Sequence, residues 1–353
     1  MKILHLINYA GKGGTEKYIY NLIENMQEKD TQICLAYNVH GPLVENVAKL
    51  GVKTFQINMS NPFDFMAAWR LAKLCKDWSI DIIHTHYLRE NYIALLSKFL
   101  NPKIKVLYTN HIINKDSKKI VLFNRFFTKG QDKVIAISNK AKEILIENGH
   151  DKNKIEIVYH GVKLNKCELD KKETTHSFTL FCGSRFTEEK GHIFLIKSLY
   201  ELKKKTDVMF HCILANDGPM LEECKNLVKD LSLEDTITFI GFVEDILSLY
   251  RKTDIYINPS KEEALGLANL EVLSLGIPLI ATDVGGVSDI INERTNCGIL
   301  VQYGDVEEMA QAIIKLMKDN DLRNTLSKNA LETIKTTFSL EGMLEKTNKF
   351  IKE

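Results

Sequence analysis

Apolar residues along the chain fall into short β-branched runs, separated by longer stretches in which they recur every three or four positions. In the first half, "KILHLI", "QICLAY", "KTFQI", "IDIIHTH", "IKVLYTN", "DKVIAIS" and "KIEIVYHG" predict strands. Between them, residues 15–28, 62–77, 89–99 and 139–148 carry the spacing of amphipathic helices. A strand–helix repeat of about 20 to 30 residues predicts a parallel, doubly wound sheet. The rhythm breaks at "KLNKCELDKKETTHS", residues 163–177, a polar, mixed-charge stretch with the character of an interdomain linker. It resumes with "FTLFCG", "VMFHCIL", "TITFIG", "DIYINPS", "IPLIATD" and "GILV", and the last 50 residues read as two or three helices.

The pattern therefore predicts two successive Rossmann-like α/β domains facing a central cleft. The expected boundaries are 1–165, 166–335 and a C-terminal helix, 336–353, that packs back toward the first domain. Open α/β sheets take ligands beyond the carboxyl ends of their strands, so the loops after the strands are where chemistry is to be sought.

Composition narrows this only slightly. A length of 353 residues exceeds what one core needs, and 44% hydrophobic with 26% charged residues is ordinary for a soluble protein. A net charge of +1 supplies no global attraction to nucleic acid, and none is expected as a partner. The seven cysteines (34, 75, 167, 182, 212, 224 and 297) form no Cys-x-x-Cys pair and lie mostly in apolar runs. They predict reduced, buried thiols in a cytoplasmic protein, not a disulfide framework or a zinc site. "MKILHLINYAGKGG" ends in a glycine loop without the long apolar region of a secretory signal, and no apolar run is long enough to predict a spanning helix.

Four stretches offer chemistry. In "RFTEEKG", 185–191, Arg185 supplies a planar fork and Lys190 a point charge, a combination suited to a diphosphate; Glu188 and Glu189 offer the plainer reading of a neutralised surface loop. In "NYAGKGGTEKY", 8–18, Gly11, Gly13 and Gly14 admit close backbone approach and Thr15 is placed to cap a helix. This is neither Gly-x-Gly-x-x-Gly nor a P-loop, which argues against a nicotinamide enzyme. His84, His86 and His111 end two predicted strands, where imidazoles orient hydroxyls or exchange protons near neutral pH; without a third ligand at suitable spacing, no metal is expected. In "KEEALGLANLEVLSLG", 261–276, Glu263 precedes and Glu271 lies within a helix expected from about 266 to 275. The two carboxylates bracket a run of N–H groups, an arrangement suited to a nucleotide sugar, with hydroxyls for the carboxylates and phosphate for the amides. An unpaired Glu271 among Leu267, Leu270 and Leu273 would otherwise be costly.

With these residues in place, the whole chain resembles the retaining glycosyltransferases of family 4, which have the two-domain GT-B architecture. The matching stretches are "GGTEKYIYNL", "DIIHTHY", "VLYTNH", "VIAISN", "GSRFTEEKG", "NDGPMLEE", "TFIGFVED" and "INPSKEEALGLANLEVLSLGIPLIATDVGG". The resemblance implies that Arg185 and Lys190 hold the donor diphosphate, Glu271 the ribose hydroxyls, and Glu263 the donor sugar. Backbone groups of Ala264, Leu265, Gly266 and Leu267 would meet sugar or phosphate, and Gly13 and Gly14 would close over the phosphates. His111 would stand beside the reacting sugar, and His86 would line the acceptor side. No cofactor or metal is implied, because fixed cations stabilise the leaving nucleotide. The chain departs from the family pattern in two places: Ala264 follows the first glutamate, and His160-Gly161-Val162-Lys163 stands where Asn-Gly-Val-Asp is common.

The implied function is hexosyl transfer from a nucleotide sugar, with a UDP-sugar favoured over a GDP-sugar. The acceptor is a saccharide or lipid-linked molecule in cell-surface polysaccharide or glycolipid synthesis. A silent nucleotide-sugar-binding subunit of such a complex is the alternative, and a nucleotide-sugar epimerase is disfavoured by the two glutamates. From Lys98 to Lys133 the chain carries nine Lys or Arg against Asp116 and Asp132, interleaved with Phe99, Leu100, Leu122, Phe123, Phe126 and Phe127. Such a stretch suits peripheral contact with an anionic leaflet at the inner face of the cell membrane, or alternatively a solvated face over core aromatics.

Overall fold

The computed structural model describes residues 1–26, 31–164 and 177–352. The expected linker and Cys167 fall outside or at the edge of these residues. The chain divides into two compact units, Met1–His160 with Met343–Glu353, and Gly161–Gly342.

The first unit holds a seven-stranded sheet of β1 (Lys2–Tyr9), β2 (Gln32–Val39), β3 (Lys53–Gln56), β4 (Ile82–Thr85), β5 (Lys105–Asn110), β6 (Lys133–Ala136) and β7 (Ile155–Ile157), in the order β3-β2-β1-β4-β5-β6-β7. Its helices are α1 (Gly14–Asn25), α2 (Pro42–Lys49), α3 (Phe65–Asp77), α4 (Leu88–Leu100), α5 (Lys118–Phe127) and α6 (Asn139–Glu147). The second unit holds β8 (Ser177–Cys182), β9 (Met209–Ala215), β10 (Ile237–Gly241), β11 (Ile255–Asn258), β12 (Leu279–Thr282) and β13 (Ile299–Val301), in the order β10-β9-β8-β11-β12-β13. Between and after them run α7 (His192–Lys205), α8 (Leu221–Asp230), α9 (Ile246–Arg251), α10 (Leu267–Leu273), α11 (Val287–Ile290), α12 (Val306–Lys318) and α13 (Asn320–Thr336). The last helix, α14 (Leu340–Lys352), carries the chain back into the first unit from Met343 onward.

All pairings within the two sheets are parallel. Parallel strands are covered on both faces, which is why each reads as a near-continuous apolar run in the sequence. Leu4, Leu6, Ile83 and Val106 pack with Leu71 and Ile93 in the first core; Leu180, Leu214, Ile257 and Ile280 pack with Leu195 and Ile313 in the second. Helix entries follow local chemistry: Asp64 accepts from Ala67 N–H to cap α3, and Ser138 accepts from Ala141 N–H to cap α6. The six described cysteines are free and buried, as expected for core thiols. No helix among the described residues is long and apolar enough to cross a membrane.

Candidate active site

Each sheet reverses its strand order once, between β1 and β4 in the first unit and between β8 and β11 in the second. At such a switch point the connections diverge to opposite faces and leave a crevice beyond the strand ends. Most residues singled out from the sequence lie at one of these two points.

In the second unit the loops after β8 and β11 are stitched together. Gly191 sits at φ +68, where a Cβ would lie 1.9 Å from the Pro259 carbonyl oxygen; only glycine lets these loops meet. Lys261 N–H donates to the Glu189 carbonyl at 2.8 Å, and Lys261 Nζ pairs with Glu188 at 2.8 Å. Lys190 Nζ then reaches Glu263 Oε2 at 2.7 Å, with the two side chains only 21% and 16% exposed. The reading in which Glu188 and Glu189 neutralise the Arg185–Lys190 loop is corrected for Glu188, which serves Lys261, while Lys190 pairs across the switch point and Glu189 keeps both Lys190 and Arg185 as charged neighbours. Arg185 is exposed, with Glu189 as a charged neighbour.

Gly266, at φ +92, opens α10, and a Cβ there would crowd the Asn269 amide at 2.5 Å. Asn258 Nδ2 donates to Asn269 Oδ1 at 2.8 Å, and Ser260 Oγ donates to Asn258 Oδ1 at 2.6 Å, which braces the loop between β11 and α10. Asn269 Nδ2 is buried without a partner among the described residues, a donor aimed by this brace that sequence reading missed. Leu265 is buried, so only its backbone remains available, whereas Ala264 and Leu267 are half-buried. Glu271 lies in the second turn of α10 as expected, but it is not stranded. It is half-buried and accepts from the Tyr250 hydroxyl at 3.3 Å. Burial, with Tyr256 and Glu271 nearby, pushes the Tyr250 phenol well above its usual range, so it stays protonated and donates.

In the first unit α1 begins at Gly14, with extended Gly13 as its flanking residue and no side-chain cap. Thr15 therefore lies inside the first turn, buried, and does not cap; helix entry two residues earlier than its hydroxyl requires is the reason. From His5 inside β1 to residues that follow β4, β5 and β7, four histidines form a chain. His5 Nδ1 lies 3.1 Å from His86 Nε2, His86 Nδ1 lies 3.2 Å from His111 Nε2, and His160 Nε2 lies 3.3 Å from His111 Nδ1. Each neutral ring carries one N–H and one lone pair, so the three bonds require a single donor direction along all four rings. His84 Nε2 bonds Thr109 Oγ1 at 2.7 Å.

Burial drives these imidazoles neutral: His5 falls to about 3 and His160 to about 4, while His84, His86 and His111 lie well below the usual value. Proton exchange near neutral pH, expected from the sequence, is thus corrected. His86, expected on the acceptor side, is itself fully buried, and its ring meets His111 and His5. Sequence reading found no third ligand for His84 and His86. Pairing of β1 with β4 places His5 opposite His84, and one nitrogen from each of the three rings lies within 4.8 Å of the others. Glu90 was also missed. Fully buried on α4, it accepts from the Asn8 N–H, and burial raises it to about 7.

Two parallel α/β units, each with its polar residues gathered beyond a switch point, make the GT-B fold of glycosyltransferases. Residues 12–166 match the family model described as Glycosyltransferase Family 4, and residues 165–333 match Glycosyl transferases group 1. The chain belongs to this family of glycosyltransferases. An uncharacterized glycosyltransferase of Methanocaldococcus jannaschii is 29% identical over all of this chain and 98% of its own length. The UDP-Gal:alpha-D-GlcNAc-diphosphoundecaprenol alpha-1,3-galactosyltransferase of Escherichia coli is 25% identical, covering 98% of this chain and 95% of its own. Among solved structures, Anabaena HepE in complex with UDP superposes with a TM-score of 0.88 at 18% identity, over the full length of both chains.

Proposed function

We propose that the protein is a retaining, metal-independent hexosyltransferase that uses a UDP-sugar and a saccharide or lipid-linked acceptor in glycan synthesis at the inner face of the cell membrane. The observation that carries this reading is the meeting of Lys190 and Glu263 across the second unit's switch point, with Glu271 on the helix that follows. In it, Arg185 and Lys190 hold the diphosphate, with Lys190 exchanging Glu263 for phosphate. Glu263 then turns to the sugar hydroxyls and Glu271 to the ribose. The amides of Ala264 to Leu267 and of Gly13 and Gly14 add donors.

The chemistry is assisted departure. The anomeric C–O bond to the diphosphate breaks while fixed cations and amides take up the developing charge. The acceptor oxygen bonds the anomeric carbon from the same side, and its proton passes to the departing phosphate. His111, held neutral, positions the sugar without moving a proton, and His86 acts through His111. A UDP-sugar is supported by the galactosyltransferase relative's UDP-Gal and by the UDP complex of HepE. Membrane contact is supported by the exposed Phe99, Leu100, Leu122 and Phe126 beside the lysines of 98–133, whereas Phe127 packs on the core.

The test is to incubate the protein with UDP- and GDP-sugars and acceptor extract and to assay free nucleotide. UDP release that depends on acceptor supports the reading; tight binding without release from any donor overturns it. Flotation with anionic but not neutral vesicles would support the membrane contact.

A further inference from the structure

A cavity of about 330 Å3 opens in the first unit at the amino ends of β4, β5 and β6, against Ile82, Lys105 and Lys133. It lies at the amino ends of these strands, whereas His86 and His111 follow the carboxyl ends of β4 and β5. Five lysines line it: Lys98, Lys105, Lys129, Lys133 and Lys154. Among the described residues its one carboxylate, Asp132, is already committed to Lys98 Nζ at 2.6 Å and to the Val106 N–H at 2.6 Å.

The rim is built, not merely basic. Lys98 also donates to the Gly130 carbonyl at 3.0 Å, and Lys154 donates to the carbonyls of Lys129 and Gln131 at 2.8 and 2.6 Å. These bonds fix the 129–132 turn; Lys98, Lys133 and Lys154 have oxygen partners, and the exposed Lys105 and Lys129 are placed to face an incoming anion. Gln131 lines the cavity and is 2% exposed; its Oε1 is bonded to His150 Nδ1 at 3.0 Å, yet its Nε2 has no acceptor among the described residues. That amide is enclosed by protein, so the ammonium groups are the donors that face the opening. The volume far exceeds the ~30 Å3 of one water and admits a diphosphate together with part of an organic body.

We propose that this cavity binds a phosphate or diphosphate group, separately from the donor site. Ammonium point charges of the exposed Lys105 and Lys129 meet the anion at the mouth. Apolar Val106 and Ile351 accommodate the attached body. The group comes either from a soluble phosphate ester or from a lipid headgroup, and exposed Phe126, over whose ring Lys129 Nζ sits at 5.4 Å, suits the latter.

The proposal is tested on the full chain by titrating inorganic pyrophosphate at low ionic strength. Binding is compared among wild type, the double variant Lys105→Gln/Lys129→Gln, and Lys190→Ala, which removes the donor-site cation instead. Binding about tenfold weaker in the double variant but retained in Lys190→Ala supports the cavity, since loss of two solvent-exposed ionic contacts is of that order. Undiminished binding in the double variant, or loss only in Lys190→Ala, overturns it. Flotation on phosphatidylglycerol vesicles that pyrophosphate displaces and the double variant lacks supports it with the headgroup as source. Pyrophosphate binding without flotation supports it with a soluble ester as source. The outcome is independent of transferase activity, so failure of the catalytic reading would leave it standing.

Discussion

Lys190 Nζ and Glu263 Oε2, 2.7 Å apart, join the two loops that leave the switch strands β8 and β11. The pair is partly buried, so removal of one partner leaves a desolvated charge. Lys190→Ala is expected to cost about 1–2 kcal/mol of stability and to weaken nucleotide binding about tenfold or more. Lys190→Ala/Glu263→Gln is expected to recover the stability but not the binding. Thermal melts and nucleotide titration of both variants check this; recovery of binding in the double variant would make the lysine a structural partner only.

Both ring nitrogens of His111 are engaged, one by His86 and one by His160. His111→Ala is expected to slow transfer with little change in donor affinity, and His160→Asn to lower kcat more than KM. The His160 change also releases the donor direction of the chain, which the tautomer-sensitive nitrogen shifts of His111 report. Unchanged turnover in His111→Ala would take that residue out of the active site.

The buried histidines bind fewer protons folded than unfolded between their depressed values and 6.5. Stability is therefore expected to be fully present above pH 6.5 and to fall as pH drops toward about 4. For His150 and His160, both at about 4, the contribution is on the order of 3 kcal/mol each. Glu90, raised to about 7, acts in the opposite sense: it favours the folded state below the usual carboxylate value and loses that advantage as pH rises through 7. Denaturant melts between pH 4 and 8 measure the sum; a flat profile below pH 6.5 contradicts it, and Glu90→Gln should remove the loss near 7.

Protein dialysed against a chelator is expected to keep its turnover, because Lys190, Arg185 and backbone amides supply the positive field in the proposed mechanism. Loss of activity that zinc or cobalt restores would assign a metal to the nitrogens of His5, His84 and His86 instead.

Gly191→Ala is expected to be among the most damaging single substitutions, since it combines a left-handed backbone with a 1.9 Å approach to Pro259. A loss of at least ~2 kcal/mol and a fall in nucleotide affinity should appear together in melts and titrations.

The thirteen strands among the described residues were legible as apolar runs because parallel strands are buried on both faces, and the signal is local. Helix α5 was not, since Lys118–Phe127 mixes charge with exposed aromatics and reads equally as a basic surface stretch. Thr15 misled because a hydroxyl after glycines looks like a cap when the helix start is unknown. Glu263 and Glu271 stood out through their context within a single stretch.

What the sequence by itself determined were properties carried by neighbouring residues: the strand–helix alternation, the glycine loops, and the acidic and basic residues that follow strands. Tertiary structure alone decided their partners. Lys190 and Glu263 are 73 positions apart, His5 and His86 are 81 apart, and the five lysines of the cavity come from three segments joined only by folding. Sheet order makes these contacts, because it is set by long-range pairing and by burial of two cores. The same burial removes charge from the histidines, whose protonation the sequence could not state.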